Sequence, residues 1–476
     1  MQLSRPRFIL AISEVEWKLP CVEVFTMKPP DPSPEPNPKP TTGADTPSER
    51  RHKDRSQEHH PGTDAEHPAP PTPESTEPVS GAEVDVLVIG GGIQGAGAAQ
   101  AIAAAGHSVA LVERSEAAIG TSSRSSKLIH GGLRYLETFQ FGLVRESLNE
   151  RKILQRIAPH LVRLVPFYIP VYRGMQRGPW MIRAGLTLYA LLGGLRKAAR
   201  FSSIKRSRWD SLDGLDTRDL KAVFRYHDGQ TDDAALCRAV LASAIELGAR
   251  VEAGAKVTAA ERTGDRWTVH YERNGKTHTC TARVVVNATG PWVNRLAELA
   301  TPKPPMRAVD LVGGTHIEVR GTLKHGIYYT EAPTDQRAVF SIPWKGRIMV
   351  GTTEKPFEGN PSEIQPTREE IDYLLNVHRR YFPNSDGELL AAWAGLRVLP
   401  KAESAAFARP RDVTLVSDDE DQPSWVGVYG GKLTGYRHTA EEILDVIRPS
   451  LPEAARVADT ATLRLPELER ITVWEP

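Results

Sequence analysis

The sequence predicts an α/β fold in which a domain built on a parallel sheet is interrupted by a second, β-rich (α+β) domain. Three observations carry this. Val84 to Ile89 (VDVLVI) is a short apolar run that leads straight into a glycine-rich turn and an Ala-rich stretch, the order of a buried strand followed by a tightly packed helix. A second buried run of that kind, Arg283 to Ala288 (RVVVNA), returns some 200 residues later. Between Val309 and Thr353 short segments rich in Val, Ile and Tyr alternate with turn residues, the signature of a multistranded sheet.

The elements follow in order. From Met27 to Ser80 the chain is Pro-rich and otherwise Ser, Thr, Asp, Glu, Lys, Arg and His. Such a segment buries too little surface to offset its ordering entropy, so residues 1–82 are expected to be a disordered tail. Order is expected from Glu83. After the first strand, Gly95 to Ala105 suits a helix and His107 to Glu113 a second strand. Glu137 to Arg156 has helical apolar spacing, and Asp232 to Leu247 reads as an amphipathic helix. Strands are expected at Arg250 to Val257, Trp267 to Tyr271 and Trp425 to Val428, and helices at Glu369 to Tyr381 and Thr439 to Ile447. The expected partition is a discontinuous first domain (83–165, 226–305 and 390–450), a second domain (166–225 and 306–389) and a C-terminal extension (451–476).

Composition narrows the function. A net charge of +1 over 476 residues gives no global attraction to nucleic acid. Three cysteines, Cys21, Cys237 and Cys280, lie far apart. They offer no metal-ligand spacing and no disulfide framework, so no metal and a reducing, cytoplasmic setting are expected. Phe8 to Ile12 is too short for a signal-peptide core, and no run is apolar enough to span a bilayer.

The chemistry begins at Gly90, Gly92 and Gly95, a GxGxxG after a strand and opening a helix. Gly90 permits the tight turn, Gly92 lets the backbone approach a pyrophosphate, and Gly95 lets helix and strand pack closely. The helix N-terminus offers N–H donors to phosphate. Glu113 ends the second strand, where a carboxylate accepts hydrogen bonds from a ribose diol. This is a Rossmann-like dinucleotide site, and these residues alone leave NAD and FAD both open.

Gly120 to Glu137 (GTSSRSSKLIHGGLRYLE) follows directly. With it the chain resembles the FAD-dependent, quinone-linked glycerol-3-phosphate dehydrogenases, which carry IGGGINGAG and then TSSxSxKLIHGGLRYLE. The resemblance continues through Asp232-Asp233-Ala234-Ala235-Leu236, Asn287-Ala288-Thr289-Gly290-Pro291-Trp292 and Gly351-Thr352-Thr353 to Gly430-Gly431-Lys432-Leu433-Thr434-Gly435-Tyr436-Arg437. It covers about residues 83 to 450. It implies a D-amino-acid-oxidase-like flavoprotein architecture, a Rossmann-like FAD-binding domain interrupted by a β-rich substrate domain. By the same resemblance Thr121, Ser122, Ser123, Lys127, Leu128, His130, Gly131 and Gly132 line the FAD. Val257 would contact the adenine, Gly290 belongs to a second cofactor motif, and Gly431 lies near the flavin.

The implied reaction is oxidation of sn-glycerol 3-phosphate to dihydroxyacetone phosphate, with hydride passing from C2 to flavin N5 and electrons on to quinone. Such a substrate needs cations for its phosphate and a base for its C2 hydroxyl. The positions matching the family's site are His316 as base, Arg397 and Lys432 near the C2 oxygen, and Arg134, with its neighbour Tyr135, and Arg411 at the phosphate. Pro179 to Arg208, apolar and then basic, is the candidate contact with the inner face of the cell membrane. The family also carries a helical C-terminal domain, and Thr460 to Leu463 resembles only its start. Gly313-Gly314-Thr315-His316 stands where the family has Lys-Gly-Ser-His, and Gly435 where it has Thr. Two other readings remain: an FAD oxidoreductase acting on another 2-hydroxy acid or an amine, and a flavin-binding protein without turnover.

Overall fold

The structure, a computed structural model, describes residues 72–194, 200–401 and 413–469. Two large sheets organise them. The first has nine strands. At its centre Glu83–Ile89 pairs in parallel with Lys276–Asn287 on one side and Val109–Val112 on the other. Arg250–Glu252 extends the sheet in parallel beyond Val109–Val112, and Trp425–Tyr429 pairs in parallel with the end of Lys276–Asn287. Residues 86–89, 109–112, 284–286 and 425–429 of these strands are buried, which is why they read as continuous apolar runs.

Three helices cover one face: Ile93–Ala104, Asp233–Glu246 and Tyr436–Ile447. Ile93–Ala104 is almost wholly buried. Its Ala and Gly residues allow this, because a Cβ on Gly97 would stand 2.8 Å from the Tyr436 ring. Asp232 caps the second helix by accepting the Ala235 N–H at 3.1 Å.

The second sheet has ten strands. Val309–Val319 pairs antiparallel with both Arg347–Gly351 and Leu389–Pro400, and Arg163–Tyr172 with Leu220–Gln230. Helix Arg368–Tyr381 packs on it, held at its start by a complete capping box between Thr367 and Glu370.

The sheets divide the chain at other points than expected. Leu128–Ile129, all of Arg163–Tyr172, all of Leu220–Gln230 and all of Leu389–Pro400 belong to the second sheet. Sheet membership therefore changes inside motifs, because partner strands, not local composition, decide which sheet a run joins. The tail boundary also moves. Residues 72–82, expected to be disordered, pack on the first domain: Val79 is fully buried, Thr72 donates its backbone N–H to Glu116 at 2.8 Å, and Glu74 and Glu77 pair with Arg273 and Arg250. Two buried apolar residues, Val79 and Ala82, and two ion pairs anchor a segment whose composition is otherwise largely polar. Residues 1–71 lie outside the described residues.

The C-terminal extension packs on the same domain. The Val457 and Ala458 N–H groups bond Ala104 O at 2.8 and 3.0 Å, Leu465 is buried, and Glu469 pairs with Arg238 at 2.7 Å. Among the described residues no helix is long and apolar enough to cross a membrane.

Candidate active site

An elongated cavity of about 710 Å3 runs from the glycine-rich turn to the second sheet. Its near end is the cradle. Gly90 has φ +110°, and a Cβ on it would lie 2.7 Å from Ala288 O. A Cβ on Gly95 would lie 1.9 Å from Gly90 O, so only glycine allows helix and strand to approach this closely. Ser122 Oγ accepts the Ile93 N–H at 2.9 Å, and Gly92, the N-cap residue, provides no side-chain cap of its own. Gly92, Ile93 and Gln94 bring this helix start to the cavity wall, where its positive dipole end favours a phosphate. Glu113 is held in place by the Gly91 N–H at 2.7 Å and by the Ser115 N–H and hydroxyl at 3.0 Å. An ionised carboxylate offers about four acceptor sites, and with three donors already on it about one remains, for a ribose hydroxyl. A cradle that added Cβ atoms would fill, with donors at one end and a fixed acceptor beyond, fits a dinucleotide cofactor.

Most expected cofactor residues reach this cavity. Gly90, Gly92, Glu113, Thr121, Ser122, Leu128, His130, Val257, Gly290 and Gly431 line it. Thr121 also donates to Leu396 O at 2.7 Å, tying the loop to the second sheet. Others are not on its wall. Lys127, expected along the cofactor, turns the opposite way: its ammonium is buried against Asp233 Oδ1 at 2.6 Å and also donates to Ser123 O. Ser123 bonds back to Gly120 O at 3.1 Å. Gly131 and Gly132 form the turn instead. The Gly131 N–H donates to the Tyr189 hydroxyl at 2.9 Å, and Gly132, at φ +72°, starts the short helix Leu133–Leu136. A Cβ on Gly131 would meet Tyr189 Oη at 2.5 Å. Glycine is required at this turn for close packing.

The far end of the cavity collects the expected reaction residues. His316, Arg397, Lys432 and Tyr135 all line it. His316 lies on Val309–Val319 and Arg397 on the neighbouring Leu389–Pro400, so one sheet surface carries both. Lys432 follows Gly430 and Gly431, both at positive φ, and its Nζ lies 4.5 Å from the Tyr135 ring centre. Arg134 is off the cavity wall, yet near enough to Arg397 to lower its pKa. The Arg134 Nη2 is buried and has no hydrogen-bond partner among the described residues. Arg397 is pushed below the usual guanidinium value chiefly by burial. Glu354, 3.5 Å away, opposes this. Arg411 lies outside the described residues.

His316 is 2% exposed and stacks on Trp393, ring centres 5.8 Å apart. Burial first, then the Arg397 and Lys127 charges, push its pKa down to about 3, so the imidazole is neutral at physiological pH. Its Nε2 lies 3.0 Å from Ser126 Oγ.

Some contributors carry no recognisable signal in the sequence. Ser126 stands inside the segment singled out there, but its partner is 190 residues away. Tyr189, Asp228 and Arg151 form a buried chain behind the Gly131 turn: Tyr189 donates to Asp228 at 2.6 Å, and Arg151 pairs with Asp228 at 2.5 Å. Nothing local marks these as a set.

The chain is similar to proteins that are already known. The family described as DAO, FAD dependent oxidoreductase, matches residues 85–457. A glycerol-3-phosphate dehydrogenase of Pseudomonas aeruginosa is 40% identical over 371 residues, covering 77% of this chain and 72% of the relative. The aerobic glycerol-3-phosphate dehydrogenase of Escherichia coli is 38% identical over 372 residues, 77% and 73% of the two chains. The structure of the glycerol-3-phosphate dehydrogenase from Bacillus halodurans complexed with FAD superposes with a TM-score of 0.63 at 28% identity, covering 81% of this chain and 68% of that one. A cradle shaped for a dinucleotide and a match along most of the chain lead to one conclusion: the chain belongs to the FAD dependent oxidoreductases, with FAD as its cofactor, in the group that includes the glycerol-3-phosphate dehydrogenases.

Proposed function

We propose that this protein oxidises sn-glycerol 3-phosphate to dihydroxyacetone phosphate. The observation that carries the reading is the convergence of a neutral, buried His316 with Arg397, Lys432 and Tyr135 at the end of the cavity away from the phosphate cradle. FAD, when bound, supplies the two-electron acceptor for hydride from C2. The remaining chemistry falls to the chain. Arg397 and Lys432 stabilise the oxygen at C2 as it gains negative charge. His316 takes up the hydroxyl proton, since it is neutral and its Nε2 is linked by hydrogen bonding to the cavity wall. Arg134 supplies positive charge behind Tyr135 for the phosphate. Trp393 and Gly351 confine the His316 ring, so the base does not wander.

Electrons are proposed to pass to quinone, with the outer face of helix Pro179–Leu192 lying on the inner face of the membrane. In support, Trp180 is 83% exposed, Met181 57% and Leu191 53%, while Lys205, Arg206 and Arg208 are exposed beside them. Arg196 and Lys197 lie outside the described residues. Exposed aromatic and basic groups together suit an anionic lipid interface.

The deciding experiment is anaerobic addition of sn-glycerol 3-phosphate to the purified flavoprotein, followed by absorbance. Bleaching of the flavin is expected. Bleaching by a 2-hydroxy acid or an amine instead would replace the substrate, and flavin that no donor bleaches would mark a protein without turnover.

A further inference from the structure

We propose that the Ser126 hydroxyl is the proton relay between the C2 hydroxyl of the substrate and His316. This rests on the reading of His316 as base given above. Three contacts fix the imidazole. Trp393 stacks on one face, with the two rings 14° from parallel. Gly351 lies against an edge so closely that a Cβ there would stand 2.2 Å from the ring Cδ2. Ser126 Oγ holds Nε2 at 3.0 Å. The other nitrogen, Nδ1, is buried and has no hydrogen-bond partner among the described residues. Trp393 and Gly351 hold the ring, and at the cavity wall that His316 and Ser126 share, the one hydrogen bond its ring nitrogens make among the described residues is to Ser126.

The neighbours of Ser126 keep it aimed. Ser125 is committed to Asp233, through its N–H at 3.0 Å and its hydroxyl at 2.6 Å. Lys127, at φ +59°, is anchored to the same carboxylate. With residues on both sides locked to Asp233, the chain between them presents Ser126 to the opposite side, toward His316. The buried ion pair thus positions the relay.

The step balances as follows. The substrate O–H bond breaks and its proton passes to Ser126 Oγ. The proton already on Ser126 passes to His316 Nε2, which becomes imidazolium. The C2–H bond breaks with its electron pair, which leaves as hydride for FAD, and C2 becomes a carbonyl carbon. The substrate phosphate, held at Arg134, brings negative charge that offsets part of the Arg397 and Lys127 charge opposing imidazolium formation.

The test compares Ser126→Ala and Ser126→Thr with the wild-type holoenzyme by stopped-flow flavin reduction under anaerobic glycerol 3-phosphate, in water and in deuterium oxide. Ser126→Ala is expected to keep its flavin and its substrate half-saturation within about twofold, and to slow flavin reduction by about 100-fold, the usual scale of a lost proton-transfer group. Ser126→Thr, which keeps a hydroxyl, should recover most of that rate and the solvent isotope effect. A Ser126→Ala rate equal to wild type overturns the relay, as does equal slowing of both variants. If the wild type itself is not reduced by glycerol 3-phosphate, the assigned reaction fails and the relay with it. Wild-type reduction alongside an unaffected alanine variant overturns the relay alone.

Discussion

Lys127 is the residue on which a structural and a cofactor role separate most cleanly. Its ammonium has two oxygen partners, Asp233 Oδ1 at 2.6 Å and Ser123 O, and lies 5.3 Å from the Trp344 ring centre. Asp233 is better supplied. Besides Lys127 it accepts the Ser125 N–H at 3.0 Å, the Ser125 hydroxyl at 2.6 Å and the Ala234 N–H at 2.9 Å. It also sits in the first turn of helix Asp233–Glu246, where negative charge is favoured. Burial pushes its pKa up, so without the lysine it can take a proton and stay neutral. The two single changes should therefore differ. Asp233→Asn strands a buried ammonium and should cost about 3–5 kcal/mol. Lys127→Met leaves a carboxyl with three donors and should cost about 1–3 kcal/mol. The double variant should cost clearly less than the sum, because the two residues form one interaction. Urea denaturation of the holoprotein, with flavin content measured alongside, reads all three. Lys127→Met that releases FAD while leaving stability intact would refute the structural assignment and restore the lysine to the cofactor.

Gly95→Ala should lose its flavin: a Cβ 1.9 Å from Gly90 O forces helix and strand apart, at about 1–3 kcal/mol, and purified protein should be colourless. Tyr189→Phe removes a partner from both the Gly131 N–H and Asp228, about 1–3 kcal/mol. Because that turn carries Tyr135, substrate half-saturation should rise more than the maximal rate falls. Stability should fall on mild acidification. His316 and His378 are held near 3 and 4 by burial, below the unfolded value of about 6.5. Their contribution is therefore complete above about pH 6.5 and is lost as pH falls through the window below it. Between pH 6.5 and 5 each costs about 2 kcal/mol. His378→Gln should remove roughly half of that slope in urea midpoints measured against pH.

The cofactor half of the site was legible because its chemistry is local. Strand, turn and helix occupy Glu83–Ala104 without interruption, and each glycine has a steric reason that spacing alone states. Glu113 follows for the same reason, at the end of the next strand. The loop after it was half legible. Its residues were recognised as one unit, but which side chains face inward was not, since Ser122 and Lys127 are equally polar in sequence. The Asp233 carboxylate settles that, and it comes from a helix more than a hundred residues away.

The second domain shows the same division. Short strands were expected between Val309 and Thr353, and strands are found there. Their partners were not foreseeable. Leu389–Pro400 joins this sheet rather than the first because its pairing with Val309–Val319 runs nearly the whole length of both. That register brings Arg397 and His316 to one surface, and Gly351 and Trp393 to either side of the imidazole. Composition at the tail misled for a related reason. Polar residues 72–82 are held by Arg250, Arg273 and Glu116, none of which is near them in sequence.

By itself, then, the sequence determined a dinucleotide cradle, because backbone sterics and short-range spacing specify such a feature, while the flavin-side loop and the residues of the reacting end were expected from the family resemblance. Only the tertiary structure decided that Lys127 is a buried counter-ion and Ser126 a neighbour of His316. Those assignments depend on which distant carboxylate or imidazole a side chain meets, and long-range packing alone decides that.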